Sequence, residues 1–265
     1  MKATVFLGAG RITNALVAGL RLARYSKPIV VHDRHPKKLQ QLKQQYGVIV
    51  EPDLRRAVES ARLLIIAVRP DAVRELLQEI GAGKLRRPLT AVSLAAGIPL
   101  SKLQDGLGPP ARWARAMPSP VSRSGRGLTA VTFGRKLPVA ARAEVKNLFA
   151  RVGPVLEIPE NQFDAFTVTY SSSHGYHALA ALIDAAEAIG LDRDIARVAA
   201  AHALADGIAA WRDGNLTLEE LLEEAATPGG IAAAVIASLD RAGYRKIVAR
   251  GLRAGLKQAR KNARR

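Results

Sequence analysis

The chain has 265 residues, 48% of them hydrophobic, with 40 Lys and Arg against 23 Asp and Glu for a formal charge of +17. That length supports one large or two modest cores; the absence of cysteine excludes disulfides and thiolate metal sites, and no apolar run approaches the roughly 18 residues of a membrane span. The first strand starts so early that no leader sequence is expected before it, and a cytoplasmic location follows as the expectation.

Thr4 to Leu7 read as a fully buried parallel strand, and Gly8-Ala9-Gly10-Arg11-Ile12-Thr13 as the turn from it into a helix. Gly8 permits the tight bend, and Gly10 lets backbone N–H groups approach a dinucleotide's diphosphate at the positive end of the helix. The third glycine of the usual fingerprint is Thr13 here. A second strand, Pro28 to Asp33, follows at the spacing of a βαβ unit. Asp33 is placed either to accept from the ribose hydroxyls or to cap the next helix. Arg34 and Lys38 suit a 2′-phosphate, or else they solvate the turn. NADP is favoured on this ground, with NAD the alternative.

Leu39 to Tyr46 reads as a helix closed by Gly47, Val48 to Val50 as a strand and Pro52 to Ala61 as a helix. Leu63 to Val68 is the strongest buried-strand signal. Backbone just beyond such a strand faces the ligand in open α/β sheets, which nominates Ala67, Val68, Arg69 and Pro70 for the cofactor. Asp71 is expected to cap the helix that runs to Ile80. Thr90 to Gly97 is a strand running into a glycine turn, adding Ala95 and Gly97, and Leu100 to Leu107 is a short helix. A strand from Arg112 ends in the proline-rich turn Met117-Pro118-Ser119, where a nicotinamide would rest. Gly127 to Phe133, Val139 to Val152 and Pro154 to Ile158 complete a strand, helix, strand sequence. The alternation specifies a doubly wound α/β sheet, Rossmann-like. From Glu160 the chain turns Ala- and Leu-rich and helical, so the expected boundary separates residues 1–158 from an all-α segment, 159–265.

Five stretches stand in the order and approximate spacing of pyrroline-5-carboxylate reductase. They are Gly8-Ala-Gly10, Ala67-Val-Arg-Pro70, Ser93-Leu-Ala-Ala-Gly-Ile98, Arg115-Ala-Met-Pro118 and Thr227-Pro-Gly-Gly230. The chain resembles that family over most of its length. The resemblance implies an NAD(P)H-dependent reductase that makes proline, a C-terminal dimerisation domain and thus a homodimer or larger homo-oligomer, and a substrate carboxylate held by backbone N–H groups and hydroxyls. The departures fall on the substrate side. Ser119 and Pro120 replace the family's Asn and Thr, Tyr170 to Tyr176 keeps only Ser172 and Tyr176 of its Gly- and Ser-rich turn, and Ile231 and Ala232 replace two hydroxyl-bearing residues.

Hydride transfer to an imine carbon requires positioning, with no nucleophile or metal. Ser172, Ser173, Thr227, Gly229 and Gly230 are the candidate positioning groups, joined by Met117, Pro118 and Ser119. His174 is a candidate proton donor, histidine being a residue type used for general acid chemistry, or else a helix-cap or solvent-facing residue. His177 and His202 are expected to be packed among alanines, and Asp184 and Glu187 to lie on a helix surface or dimer contact. A keto- or imino-acid reductase using His174 is the alternative within enzymes. A weakly active relative binding NADP or nucleic acid is the alternative outside them, because ten cations lie between Arg241 and Arg265. Lys246, Arg250, Arg253, Lys257 and Lys261 fall along one helical face, favoured here as a solvated surface, with nucleic acid and membrane not expected as partners.

Overall fold

The computed structural model describes residues 2–264 apart from Lys84 and Arg86. They pack as two compact units, 2–170 together with 255–264, and 171–254.

The first unit alternates β1 (Ala3–Leu7), α1 (Arg11–Leu22), β2 (Ile29–His32), α2 (Pro36–Tyr46), β3 (Ile49–Val50), α3 (Leu54–Ser60), β4 (Ala61–Ile66), α4 (Pro70–Ala82), β5 (Leu89–Ser93), α5 (Leu100–Gly106) and β6 (Ala111–Met117). A 3-10 turn, Pro120–Ser124, leads to β7 (Thr129–Phe133), α6 (Val139–Ala150) and β8 (Val155–Glu157). The strands form one sheet in the order β3-β2-β1-β4-β5-β6-β7-β8. β1 to β6 are parallel, whereas β7 runs antiparallel to β6. The link between them is too short for a helical crossover, so the chain must turn back.

Side chains alternate across the sheet. Val5, Leu7, Leu64, Ile66 and Trp113 pack with Val58 of α3, Leu77 of α4 and Leu103 of α5 on one face. Phe6, Val31, Leu63, Ile65 and Ala114 pack with Leu16 of α1, Leu42 of α2 and Phe149 of α6 on the other. This two-sided burial is why the parallel strands read as unbroken apolar runs.

The division between the units falls beyond the end of β8, near which the sequence placed its boundary. The helix α7 (Glu160–Thr169) stays with the sheet because Phe163 is fully buried and the guanidinium of Arg115, on β6, lies 4.3 Å over its ring. The same guanidinium donates to Glu160 Oε1 at 3.0 Å and to Asp164 Oδ1 at 2.8 Å. Residues 255–264 return to this unit as well, with Ala259 buried and Asn262 Nδ2 donating to the Ala96 carbonyl at 3.3 Å.

The second unit holds α8 (Ser172–Ala188), α9 (Arg193–Asp213), α10 (Leu218–Ala225), α11 (Ile231–Arg241) and the start of α12 (Tyr244–Ala263). Its helix starts are well specified. Asp192 caps α9 through Asp194 and Ile195 N–H, and Thr217 with Glu220 forms a reciprocal capping box on α10. Among the described residues no helix is long and apolar enough to cross a membrane.

Candidate active site

The order β3-β2-β1-β4-β5-β6 reverses direction between β1 and β4, and ligands of such sheets bind outside the carboxyl ends of the strands at that point. Gly8, after β1, has φ +108°, and a Cβ there would lie 2.7 Å from the Ala67 carbonyl oxygen. The residue is thus fixed as glycine by both conformation and space. Ala67 N–H donates to the Leu7 carbonyl at 2.8 Å, which seats the segment after β4 beside the glycine turn. Gly10 is the N-cap of α1, carries no side-chain cap, and a Cβ there would meet nothing within 4 Å. The first-turn N–H groups of α1, including Arg11 and Ile12, have no acceptor within the helix. They lie at the helix's positive end next to Gly10, whose missing Cβ leaves room there, an arrangement that fits a diphosphate. Thr13 replaces the third glycine and is fully buried, its Oγ1 donating to the Gly8 carbonyl at 2.6 Å, so it braces the turn from inside.

Asp33 follows β2 and is tied back to the same turn. Its Oδ2 accepts from Ala9 N–H at 2.7 Å, and its Oδ1 accepts from His35 N–H at 2.8 Å and lies 2.7 Å from His35 Nδ1. Burial works against its charge, but the Ala9 and His35 hydrogen bonds, with Lys38 nearby, outweigh it and hold the carboxyl below its usual range. Asp33 does not cap α2. The N-cap is His35, with Pro36 at the helix start. Arg34 is claimed as well, by Glu79 Oε1 at 2.6 Å and Glu75 Oε1 at 3.2 Å, both on α4, and these carboxylates raise its pKa.

The expected cap of α4 is corrected. Arg69 is the N-cap and Pro70 opens the helix, its fixed φ suiting that position, so Asp71 sits in the first turn. At the end of β5, Leu94 N–H donates to the Ile66 carbonyl and Ala95 N–H to Ser93 Oγ. Gly97 has φ +78°, and a Cβ there would lie 2.5 Å from the Ala259 carbonyl oxygen, so its smallness serves a contact with the end of α12. Past Met117 and Pro118, buried Ser119 caps the 3-10 turn by accepting from Val121 N–H at 3.2 Å. That turn packs on α1 so closely that a Cβ on Gly19 would overlap the Ser122 carbonyl. Arg123 and Tyr46 both donate to Asn14 Oδ1, at 2.6 and 3.2 Å. A cavity of about 1260 Å³ opens at the other end of β6, lined by Pro110, Arg112, Arg135 and Glu157, and contains none of the candidate residues.

In the second unit, Ser171 caps α8, and Ser172, Ser173 and His174 form its first turn. Ser171 Oγ lies 2.7 Å from Ser173 Oγ, and His174 N–H donates to the Ser171 carbonyl. Gly229 has φ +76° with open space where a Cβ would stand, and Gly230 is an N-cap for α11 without a side-chain cap. A Cβ on Gly230 would lie 2.6 Å from Thr227 Oγ1. His177 and His202 are not packed. Both are exposed, and His202 Nδ1 lies 3.1 Å from Asp206 Oδ2. Asp184 is exposed, and Glu187 pairs with Arg193. Lys246, Arg250, Arg253, Lys257 and Lys261 of α12 are exposed along the helix. Among the described residues no three His, Asp or Glu side chains gather as a metal site would need.

A family model described as pyrroline-5-carboxylate reductase dimerisation matches residues 160–262, and one described as NADP oxidoreductase, coenzyme F420-dependent, matches residues 4–97. The pyrroline-5-carboxylate reductase of Mycobacterium tuberculosis is 32% identical over 273 residues, covering 94% of this chain and 92% of that one. The chain belongs to the pyrroline-5-carboxylate reductase family. A Synechocystis reductase is 30% identical over 257 residues, covering 96% and 95%. Solved reductases of Streptococcus pyogenes and of Plasmodium falciparum, the latter with NADP bound, share the fold at TM-scores of 0.88 and 0.87. Each covers 98% of both chains, at 20% and 19% identity.

Sequence reasoning missed Glu75 and Glu79, the partners of Arg34. Their four-residue spacing put both on one face of α4, but nothing in the sequence paired that face with a residue more than 40 positions away. It also missed that Arg115, quoted only as part of a motif, is a buried node.

Proposed function

We propose that this chain is an NADPH-dependent pyrroline-5-carboxylate reductase, reducing the cyclic imine to proline as a cytoplasmic homo-oligomer, a homodimer or larger. The observation that carries this reading is the α1 N-terminus: uncapped amides, an open Gly10 and a Gly8 pressed on Ala67, at the reversal point of a sheet whose chain aligns over 94% of its length with a named reductase. When bound, the reduced nicotinamide supplies the hydride that the imine carbon accepts.

The protein's part is to bind and orient. The amides of Gly10, Arg11 and Ile12 hold the diphosphate, and Asp33, kept ionised, fixes the Ala9 N–H and with it the shape of the turn. Ala67 to Pro70, Ala95 and the Met117 to Ser119 turn form the floor at the strand ends. In the second unit, the uncapped start of α11 after Gly229, with the hydroxyls of Thr227, Ser172 and Ser173, suits the substrate carboxylate. An imine that arrives protonated needs no acid from the protein. In the alternative reading His174 donates the proton, and His174→Gln then lowers kcat by about 10²-fold. The positioning-only reading leaves kcat nearly unchanged. Helices with few buried residues support the homo-oligomer.

The test mixes purified protein, NADPH and pyrroline-5-carboxylate and follows the nicotinamide absorbance together with proline formation. Coenzyme consumption with stoichiometric proline is expected. No turnover with NADPH or NADH removes the assignment.

A further inference from the structure

β2 and β4 flank β1 on opposite sides in the sheet. Arg34 stands two residues past the end of β2, while Glu75 and Glu79 stand on the helix that follows β4. The ion pairs from Arg34 Nη2 to Glu79 at 2.6 Å and Glu75 at 3.2 Å therefore pass from one side of β1 to the other, at the strand end that carries the glycine turn. All three side chains are about half exposed, so nothing in the core requires them to meet. The end of β2 is where coenzymes of this fold present the adenosine ribose, and a cation there takes the 2′-phosphate when one is present.

One guanidinium cannot serve both claims at full strength. Its planar fork matches either a phosphate or the carboxylates. We propose that Glu75 and Glu79 are coenzyme-specificity residues, competing with the 2′-phosphate for Arg34 and so lowering the preference for NADP over NAD that Arg34 alone would confer. This inference rests on the coenzyme reading given above and adds to it a restraint that the protein places on itself.

The competition is read by calorimetry on the intact protein, using 2′,5′-ADP and 5′-AMP as probes with and without the 2′-phosphate. E75Q/E79Q is expected to tighten 2′,5′-ADP about fivefold, the effect of an exposed ion-pair network, and to change 5′-AMP less than about twofold. In turnover the same variant lowers KM for NADPH and leaves KM for NADH and kcat near their starting values. R34Q weakens 2′,5′-ADP selectively. In the R34Q background the two glutamate substitutions are expected to have no further effect, because the contested group is gone. Equal changes for both probes, no change, or a glutamate effect that survives in R34Q overturns the competition while leaving the coenzyme reading intact. A wild-type protein that binds neither NADP nor NAD overturns that reading and this inference with it.

Discussion

In the first unit Phe6, Leu64, Ile65 and Phe149 are sealed from water, whereas in the second α8, α10 and α11 hold no buried residue and α9 only Ala196 and Ala200. The second unit instead displays Val198, Ile208, Trp211, Ile231 and Val235 to solvent, with Ile231 at 87% exposure. A single chain thus accounts for the stability of the Rossmann-like unit and leaves that of the helical unit unexplained. Covering half a dozen such side chains would contribute on the order of 10 kcal/mol, so the apolar faces of these helices call for a second copy of the chain, in keeping with the dimerisation family they match.

Four experiments break or sharpen this contrast. The largest effect is expected from Ile208→Glu with Trp211→Glu, one turn apart on α9. Sedimentation should show loss of the homo-oligomer, and a wild-type protein that sediments as a monomer would remove the contrast altogether. Arg115→Ala acts inside the first unit and leaves Glu160 and Asp164 without their cation. Denaturant unfolding should register a loss of about 3 kcal/mol, with the assembly state unchanged.

Gly8→Ala should cost about 2 kcal/mol, from a left-handed φ and a Cβ pressed on the Ala67 carbonyl. The smallest effect is expected at Asp33. The amide of Asp33→Asn cannot accept all the bonds now made by the carboxylate, and the loss at pH 7 is about 1.5 kcal/mol. Because the folded-state pKa of Asp33 lies below the ordinary 3.8, its contribution is complete above about pH 5 and is lost as the pH falls through that lowered value. The acid limb of a stability-against-pH curve should therefore flatten in D33N.

Much of the first unit was legible because its signals are local. A buried parallel strand needs an unbroken apolar run, and the bend after β1 needs the positive φ that Gly8 adopts. What the reading left out lies in neighbours it did not weigh or in partners far along the chain. Asp71 lost the capping role because Pro70 already opened the helix, and Gly97 answers to Ala259, 162 positions on. Arg34 was read as a phosphate cation or a solvated turn residue, and Glu75 and Glu79 on α4, which nothing in the sequence pairs with it, claim it as well. His177 and His202 were read as packed because their neighbours are alanines, yet alanine-rich helix surface stays wet in one chain. The boundary was expected at 158 from the change in composition there, while Arg115 and Phe163 hold the next helix to the sheet.

The central claim is that the start of α1 binds the coenzyme's diphosphate. Gly10 has an ordinary extended backbone and open space around its missing Cβ, so Gly10→Val leaves the fold intact while filling the place of the ligand. Calorimetric titration of NADPH into wild-type and G10V protein of equal thermal stability is the direct measurement. The account predicts saturable binding to the wild type and its loss in G10V. Equal affinity in both, or no heat with either, would contradict it.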